Sequence, residues 1–394
     1  MTAEITFVTP RYGADVLGGA EAGARQLATR LAADGRSVSV ITSCARSMQT
    51  WADDYAAGET LEEGVRVLRC SVDQNRSTGF DALSDSLLPR AGAASLSESM
   101  EWIDQQGPTS SSLIEAIAAV EMGVLIFYPY LYHPTVRGIP AARVPTILYP
   151  AAHRELPFEL PVFDEVFEQA DGIAFQTRAE QALVHERVPA TATSPQVLVG
   201  LPVEMGETPD ATAARAALDL GDEPFALCLG RVDRGKGTHD LVERFARFRA
   251  NGGEGRLILA GPVAETPPPV DGVTSLGPIP EDHKFGLLAA ADVLINPSFY
   301  ESFSIVILEA WLAGTPVLVN GWCAPLVEHC ENSGGGLYYN GVADFDVALG
   351  RLMREPETRR ALADAGGAYV RRSYGWPTVA ARLEGLIERV SRPR

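Results

Sequence analysis

Short apolar runs recur along the first half of the chain, at residues 4–10, 37–42, 65–69, 124–128, 146–149, 172–175 and 196–200. Each is bounded by Gly, Pro or small polar residues, the pattern of buried strands. Helix-period segments lie between them. One of about 13 residues ends before Gly35. A second runs from Ser112-Leu-Ile-Glu115 to Glu121, and a third opens at Thr177-Arg-Ala-Glu180, both with capping-box spacing. Residues 71–112 break the rhythm. They are rich in Ser, Gly, Asp and Gln, and only a short helical piece is expected, near Leu96–Ile103. Leu201–Pro209 is a proline-bearing linker without periodicity. Beyond it the rhythm restarts, with strands at 225–229, 256–261, 293–295 and 317–320 and helices at 210–219 and 281–291. Gly334-Gly-Gly336 marks a loop, and three helices follow at 344–354, 357–372 and 376–391. Strand, loop, helix, strand, twice over, predicts an α/β protein of two doubly wound Rossmann-like domains, residues 1–202 and 203–375, with a closing segment 376–394 that starts at Trp376-Pro377.

The densest information lies in Asn296-Pro-Ser-Phe-Tyr-Glu301-Ser-Phe-Ser-Ile-Val-Ile-Leu-Glu309. After the strand, this stretch enters a helix that is apolar on nearly every side, and such a helix is normally buried. Glu309 is its one charge. A buried carboxylate is expensive unless hydrogen bonds reach it, and positions 305, 306, 312 and 313 offer no cation. Its donors must come from elsewhere in the fold or from a ligand rich in hydroxyls. The alternative is a helix-start carboxylate accepting backbone N–H bonds.

Composition narrows the field. A chain of 394 residues with 46% apolar content supports well-packed cores. No 18-residue apolar run is present, so no transmembrane helix is expected. The first strand follows the N-terminus with no basic region, so no signal peptide is expected either. Five cysteines without metal-type spacing suggest a reducing, cytoplasmic setting. The net charge of −18 argues against nucleic acid. Residues 1–200 hold 14 arginines, no lysine and 25 acids, which also argues against docking that half on anionic lipid. Only two lysines occur, Lys236 and Lys284, against 31 arginines. A compact ammonium retained against that bias suggests use at Lys236, whereas Lys284 is taken as chance.

Two glycine loops suit anions. Gly18-Gly19 follows the first strand and opens a helix, where bare amides can approach a phosphate. Gly230-Arg231-Val-Asp-Arg-Gly-Lys236-Gly237 follows the strand at 225–229, and its cations suit a diphosphate. The first loop lacks Gly-x-Gly-x-x-Gly, so a dinucleotide oxidoreductase has weak support.

These motifs together resemble retaining glycosyltransferases of the GT-B architecture, especially the large family 4. Glu301 and Glu309 match its Glu-x7-Glu motif, Gly230-Arg231 with Lys236-Gly237 its donor-diphosphate motif, and Gly18-Gly19-Ala-Glu21 its first loop. The resemblance implies that Glu301 contacts donor-sugar hydroxyls and Glu309 holds the ribose diol. It implies that amides of Ser302, Phe303, Ser304 and Ile305 face the sugar and diphosphate, and that Ile279 lies against the nucleobase. Many members read Glu-Gly-Phe-Gly where this chain has Glu301-Ser-Phe-Ser304, and serine keeps the amide geometry if its backbone angles are ordinary. The family's usual histidine after the fourth strand is replaced by Phe127-Tyr128-Pro129; His133 stands four residues on, and His153 resembles a Thr-Ala-His segment. Glu328 stands where the family often carries Gly-Gly-x-x-Glu, behind an inserted Trp322-Cys323.

The resemblance implies two domains facing a cleft, the first for the acceptor and the second for the nucleotide-sugar, with the last helix returning to the first domain. It implies transfer of a hexosyl group to a glycan, lipid-linked or small-molecule hydroxyl. Arg231 and Lys236 would assist the departing diphosphate without a metal or other cofactor, and His153 or His133 would lie at the reaction centre. The setting would be cytoplasmic, including the inner membrane surface. Apart from the resemblance, residues 71–112 and the aromatic run Tyr128–Tyr132 are candidates to select the acceptor, with core packing an equal explanation of the tyrosines. Alternatives that share such a donor site are a sugar-nucleotide epimerase or hydrolase, a phosphorylase, and an inactive nucleotide-sugar-binding protein. A pyridoxal-phosphate phosphorylase is disfavoured because only two lysines exist to form its Schiff base.

Overall fold

The computed structural model describes residues 4–16 and 18–392, in two compact units: residues 1–201 with 379–394, and residues 202–378. The first unit holds strands β1 (Ile5–Val8), β2 (Val38–Ser43), β3 (Gly58–Glu62), β4 (Val65–Cys70), β5 (Val124–Phe127), β6 (Thr146–Leu148), β7 (Gly172–Phe175) and β8 (Gln196–Leu198). They form one eight-stranded sheet in the order β3-β4-β2-β1-β5-β6-β7-β8. Every pair is parallel except β3 with β4. Strands of a parallel sheet are covered on both faces and so read as unbroken apolar runs. Phe7, paired with Val40 on one side and Ile126 on the other, is fully buried. β3, Gly-Glu-Thr-Leu-Glu, is an exposed antiparallel edge without that signal, and it escaped the sequence reading.

Helices α1 (Gly19–Ala33), α2 (Phe80–Leu87), α3 (Leu96–Gln106), α4 (Ser111–Ala118), α5 (His133–Ala141), α6 (Val162–Gln169) and α7 (Arg178–Arg187) complete this unit's windings. Residues 71–112 are more ordered than expected. They form α2, a 3-10 turn at Leu88–Ala93 and α3, with Phe80 packed on Trp102 at 5.3 Å in the core. The capping box there is Ser95 with Glu98, which the sequence reading did not name. The box expected at Ser112 is corrected: Ser110 caps α4, its hydroxyl accepting from the Leu113 amide, and the helix stops at Ala118. Tyr128 and Tyr130 are buried, Tyr130 among Phe158, Phe163 and Phe167, so this part of the aromatic run packs the core.

The second unit has α8 (Ala211–Ala217), β9 (Phe225–Leu229), α9 (Thr238–Ala250), β10 (Arg256–Ala260), β11 (Val273–Gly277), α10 (Glu281–Ala290) and β12 (Val293–Asn296). It continues through α11 (Ile305–Leu312), β13 (Val317–Asn320), α12 (Ala324–Ser333), β14 (Gly336–Tyr339), α13 (Val342–Arg354) and α14 (Pro356–Tyr374). Gly336 therefore starts a strand rather than lying in a loop. Its six strands are all parallel, ordered β11-β10-β9-β12-β13-β14. The strand order reverses between β9 and β12, and ligands of doubly wound sheets sit at such a point, at the carboxyl ends of the strands. The loops leaving β9 and β12 are the two motif loops. α15 (Trp376–Val390) begins in this unit, and from Val379 onward it belongs to the first, where the Arg382 guanidinium donates to the Val199 carbonyl.

α11 is fixed by what surrounds it. Ile307, Leu308, Ala310 and Trp311 are buried. The Trp311 indole donates to the Gly335 carbonyl at 2.7 Å, and a side chain on Gly366 of α14 would occupy the space the ring fills.

Candidate active site

Asp233 organises the loop after β9. Its Oδ1 accepts the Lys236 amide at 2.7 Å, its carbonyl accepts the Thr238 hydroxyl at 2.8 Å, and its carboxylate pairs with the half-exposed Arg231. Gly230 has φ 146°, a conformation that side-chain-bearing residues rarely adopt, and the space beside it is open. Gly237 (φ 73°) starts α9 with the Pro297 carbonyl lying where a side chain would be. That close approach seats the β9 loop against the β12 loop. Across it, Lys236 Nζ lies 2.9 Å from Glu301 Oε1.

The β12 loop is held from below. Asn296 Oδ1 accepts the Ser298 amide at 3.0 Å, and Asn320 Nδ2 donates to the Pro297 carbonyl at 3.1 Å. The condition of ordinary backbone angles is not met at Ser304. It is left-handed, with φ 68° and ψ 76°, and Asn296 Nδ2 donates to its hydroxyl at 2.8 Å. A non-glycine residue there costs roughly 1–3 kcal/mol of strain, which the buried hydrogen bond offsets in part. The conformation turns the chain abruptly into α11, whose first amides at Ile305 and beyond have no carbonyl within the helix to meet. Phe303 meets His329 at 5.1 Å and Tyr374 at 5.0 Å, so only its backbone can serve a ligand. Burial pushes the Cys323 thiol up to about 12, and the neighbouring Glu301 carboxylate adds to the shift.

Glu309 lies in the middle of α11, and its partner is a cation from another helix. Lys284 Nζ on α10 is 2.8 Å from Glu309 Oε1 and also pairs with Glu281. The side chains are 20% and 13% exposed for Lys284 and Glu309. Burial pushes the Glu309 carboxyl up, and the adjacent ammonium opposes that shift. The assignment of Lys284 to chance is therefore corrected, as is the helix-start reading of Glu309. The available signal was the rarity of lysine: both lysines of the chain hold a glutamate of the Glu-x7-Glu pair. Ile279, half-buried, lies just before α10.

The remaining residues singled out from the sequence lie in the first unit. Gly18, at φ 155°, precedes α1, and Gly19 opens the helix with no atom near its would-be side chain. Two residues on, buried Glu21 receives Arg11 Nε at 3.0 Å and Arg11 Nη2 on the same oxygen. His133 is buried at the start of α5, 3.9 Å from Asp104, and burial holds it down to about 4, so it is neutral at physiological pH. His153 follows β6, partly exposed, 3.7 Å from Glu155. Thus Gly230, Arg231, Lys236, Glu301, the Ser302–Ile305 turn, Glu309 and Ile279 belong to one unit, and Gly18, Gly19, His133 and His153 to the other. Glu328 sits half-buried on α12. Among the described residues no group of three or more His, Cys, Asp or Glu could hold a metal ion, and no helix is long and apolar enough to cross a membrane.

A family model described as "Glycosyl transferases group 1" matches residues 223–355, the span that carries both motif loops. D-inositol 3-phosphate glycosyltransferase of Corynebacterium urealyticum is 28% identical, over 94% of this chain and 90% of that protein. Sucrose-phosphate synthase from Thermosynechococcus elongatus has the same fold, with TM-score 0.73, 20% identity and 98% of each chain covered. So does HepE of Anabaena, solved in complex with UDP and glucose, with TM-score 0.69, 15% identity, and 98% of this chain and all of that one covered. Residues 223–355 thus match the group 1 glycosyltransferase family, and the chain as a whole has the GT-B fold.

Proposed function

We propose that this glycosyltransferase moves a hexosyl group, with retention of anomeric configuration, from a nucleoside-diphosphate sugar to a hydroxyl of a glycan, a lipid-linked sugar or a small molecule. The observation that carries the reading is the Lys236–Glu301 contact across the two loops of the switch point. It joins a cation suited to the leaving diphosphate to a carboxylate suited to the sugar. In this reading Arg231 and Lys236 take up negative charge as the bond to the diphosphate breaks, without a metal ion, and the Ser304 and Ile305 amides add the partial charge of a helix start. Glu301 orients the sugar through its hydroxyls, Glu309 accepts from the ribose diol, and Ile279 covers the base. Gly18-Gly19 serves the phosphates, the first unit receives the acceptor, and His153 or His133 stands near the reacting carbon. A UDP-type donor has the support of HepE, which was solved with UDP and glucose.

The test is product analysis. The protein is incubated with UDP-, GDP-, ADP- and TDP-hexoses and a panel of hydroxyl acceptors, and nucleotide release and the anomeric proton of the product are read by NMR. The reading expects acceptor-dependent release with one base and an α-linked product from an α-linked donor. A β-linked product overturns retention. Donor consumed equally fast without acceptor identifies a hydrolase instead.

A further inference from the structure

The chain makes its cations almost entirely from arginine, yet each glutamate of the Glu-x7-Glu pair is met by lysine. The two cations close a carboxylate differently. Arginine presents a planar fork that can span both oxygens, whereas an ammonium is a point donor. The fork is seen in this protein at Arg69, whose Nη1 donates to Oε1 and Nη2 to Oε2 of Glu62. Lys284 instead reaches Glu309 through Oε1 alone, and no hydrogen bond from the described residues reaches Oε2. Glu281 holds the same ammonium from its exposed side, so Lys284 is braced between two carboxylates rather than free to swing.

On the reading that Glu309 meets the donor ribose, we infer that Lys284 is a positioning residue for ribonucleotide recognition: by gripping Oε1 alone, it fixes the Glu309 carboxylate and leaves Oε2 open to accept from the vicinal hydroxyls of the ribose. An ionised carboxylate oxygen can only accept, so it selects O–H donors and rejects a sugar that lacks them. Lysine also answers the burial problem that Glu309 poses inside an apolar helix, since a carboxylate left without a partner there would take up a proton and would no longer be a purely accepting group.

The substitution that separates this from an ordinary ion pair is Lys284→Arg. Charge and approximate reach are kept, so a purely structural bridge tolerates it. A fork on Glu309 would close Oε2. Binding of UDP, GDP and ADP, each beside its 2′,3′-dideoxy counterpart, is measured by calorimetry on the full chain for wild type, Lys284→Arg and Glu309→Gln, with melting temperatures recorded for all three. The inference expects wild type to prefer the ribonucleotide of one base at least tenfold over its dideoxy form. It expects Lys284→Arg to lose most of that preference at an unchanged melting temperature, with dideoxy binding altered less than twofold. An undiminished preference in Lys284→Arg overturns the role of Lys284 while leaving Glu309 as the ribose contact. If Glu309→Gln also keeps the wild-type preference, the ribose contact itself is wrong and the inference falls with it.

Discussion

Two glutamates, one in each unit, follow a loop that leaves a strand, Glu21 in the first turn of α1 and Glu309 midway along α11, and each is met by a cation at Oε1. Glu21 of the first unit is gripped by Arg11, which also donates to the Arg46 carbonyl at 2.8 Å, and both members of the pair are under a tenth exposed. Glu309 of the second unit is met by a single lysine nitrogen, and its pair is the more exposed, at 20% for Lys284 and 13% for Glu309. The first arrangement ties β1, β2 and α1 together. The second joins α10 to α11 through a single ammonium. Depth of burial and the number of bonds to the cation, more than the presence of an acid behind a loop, distinguish the two pairs.

The largest expected effect breaks the first pair. Arg11→Ala leaves Glu21 buried without its guanidinium, and removing one partner of a buried pair costs about 3–5 kcal/mol. Hydrogen exchange read by mass spectrometry should show that loss of protection in β1 and α1, with peptides of the second unit unchanged. Equal loss in both units would break the contrast. Next comes Lys236→Met. On the proposed reading it removes a cation that meets developing charge, and turnover should fall about 10²–10³-fold. The melting temperature should move little, since the lysine is more than a third exposed. A large drop in melting temperature with turnover intact would make Lys236 a structural residue.

The smallest effect is at the left-handed turn. Ser304→Gly removes the strain at φ 68° and also the hydroxyl that Asn296 bonds. The two changes oppose each other, so stability by urea titration should shift by no more than about 1 kcal/mol in either direction. A loss several times larger would show that the Asn296 contact dominates the turn.

How much of this could be read in the sequence follows from where each signal is local. Parallel strands buried on both faces announce themselves as apolar runs, which is why the central strands of both sheets were legible while the polar edge strand at Gly58–Glu62 was not. The loop from Gly230 to Gly237 and the paired Glu301 and Glu309 could be singled out because their spacing is contained in a few residues, and the structure brings them into one unit. Lys284 was not. It lies 25 residues before Glu309, and only the packing of α10 beside α11 joins them. The turn at Ser304 was not legible for a related reason: its left-handed conformation is supported by Asn296, eight residues back in the chain, and serine itself gives no sign of it. Residues 71–112 read as a polar excursion because their core contacts, Phe80 on Trp102 among them, are few and widely spaced in a polar background.

The account turns on the second unit holding a nucleoside diphosphate through Glu309, Arg231 and Lys236. The most direct measurement is the affinity of UDP, GDP, ADP and TDP for wild type and for Glu309→Ala, by calorimetry and thermal shift, since a ligand that binds only the folded state raises the melting temperature. The account expects one base to bind wild type clearly and to lose at least tenfold in affinity when the carboxylate is removed, the scale of a charge-assisted hydrogen bond. No binding of any base to the wild type at millimolar concentration, or equal affinity in the two proteins, would contradict it.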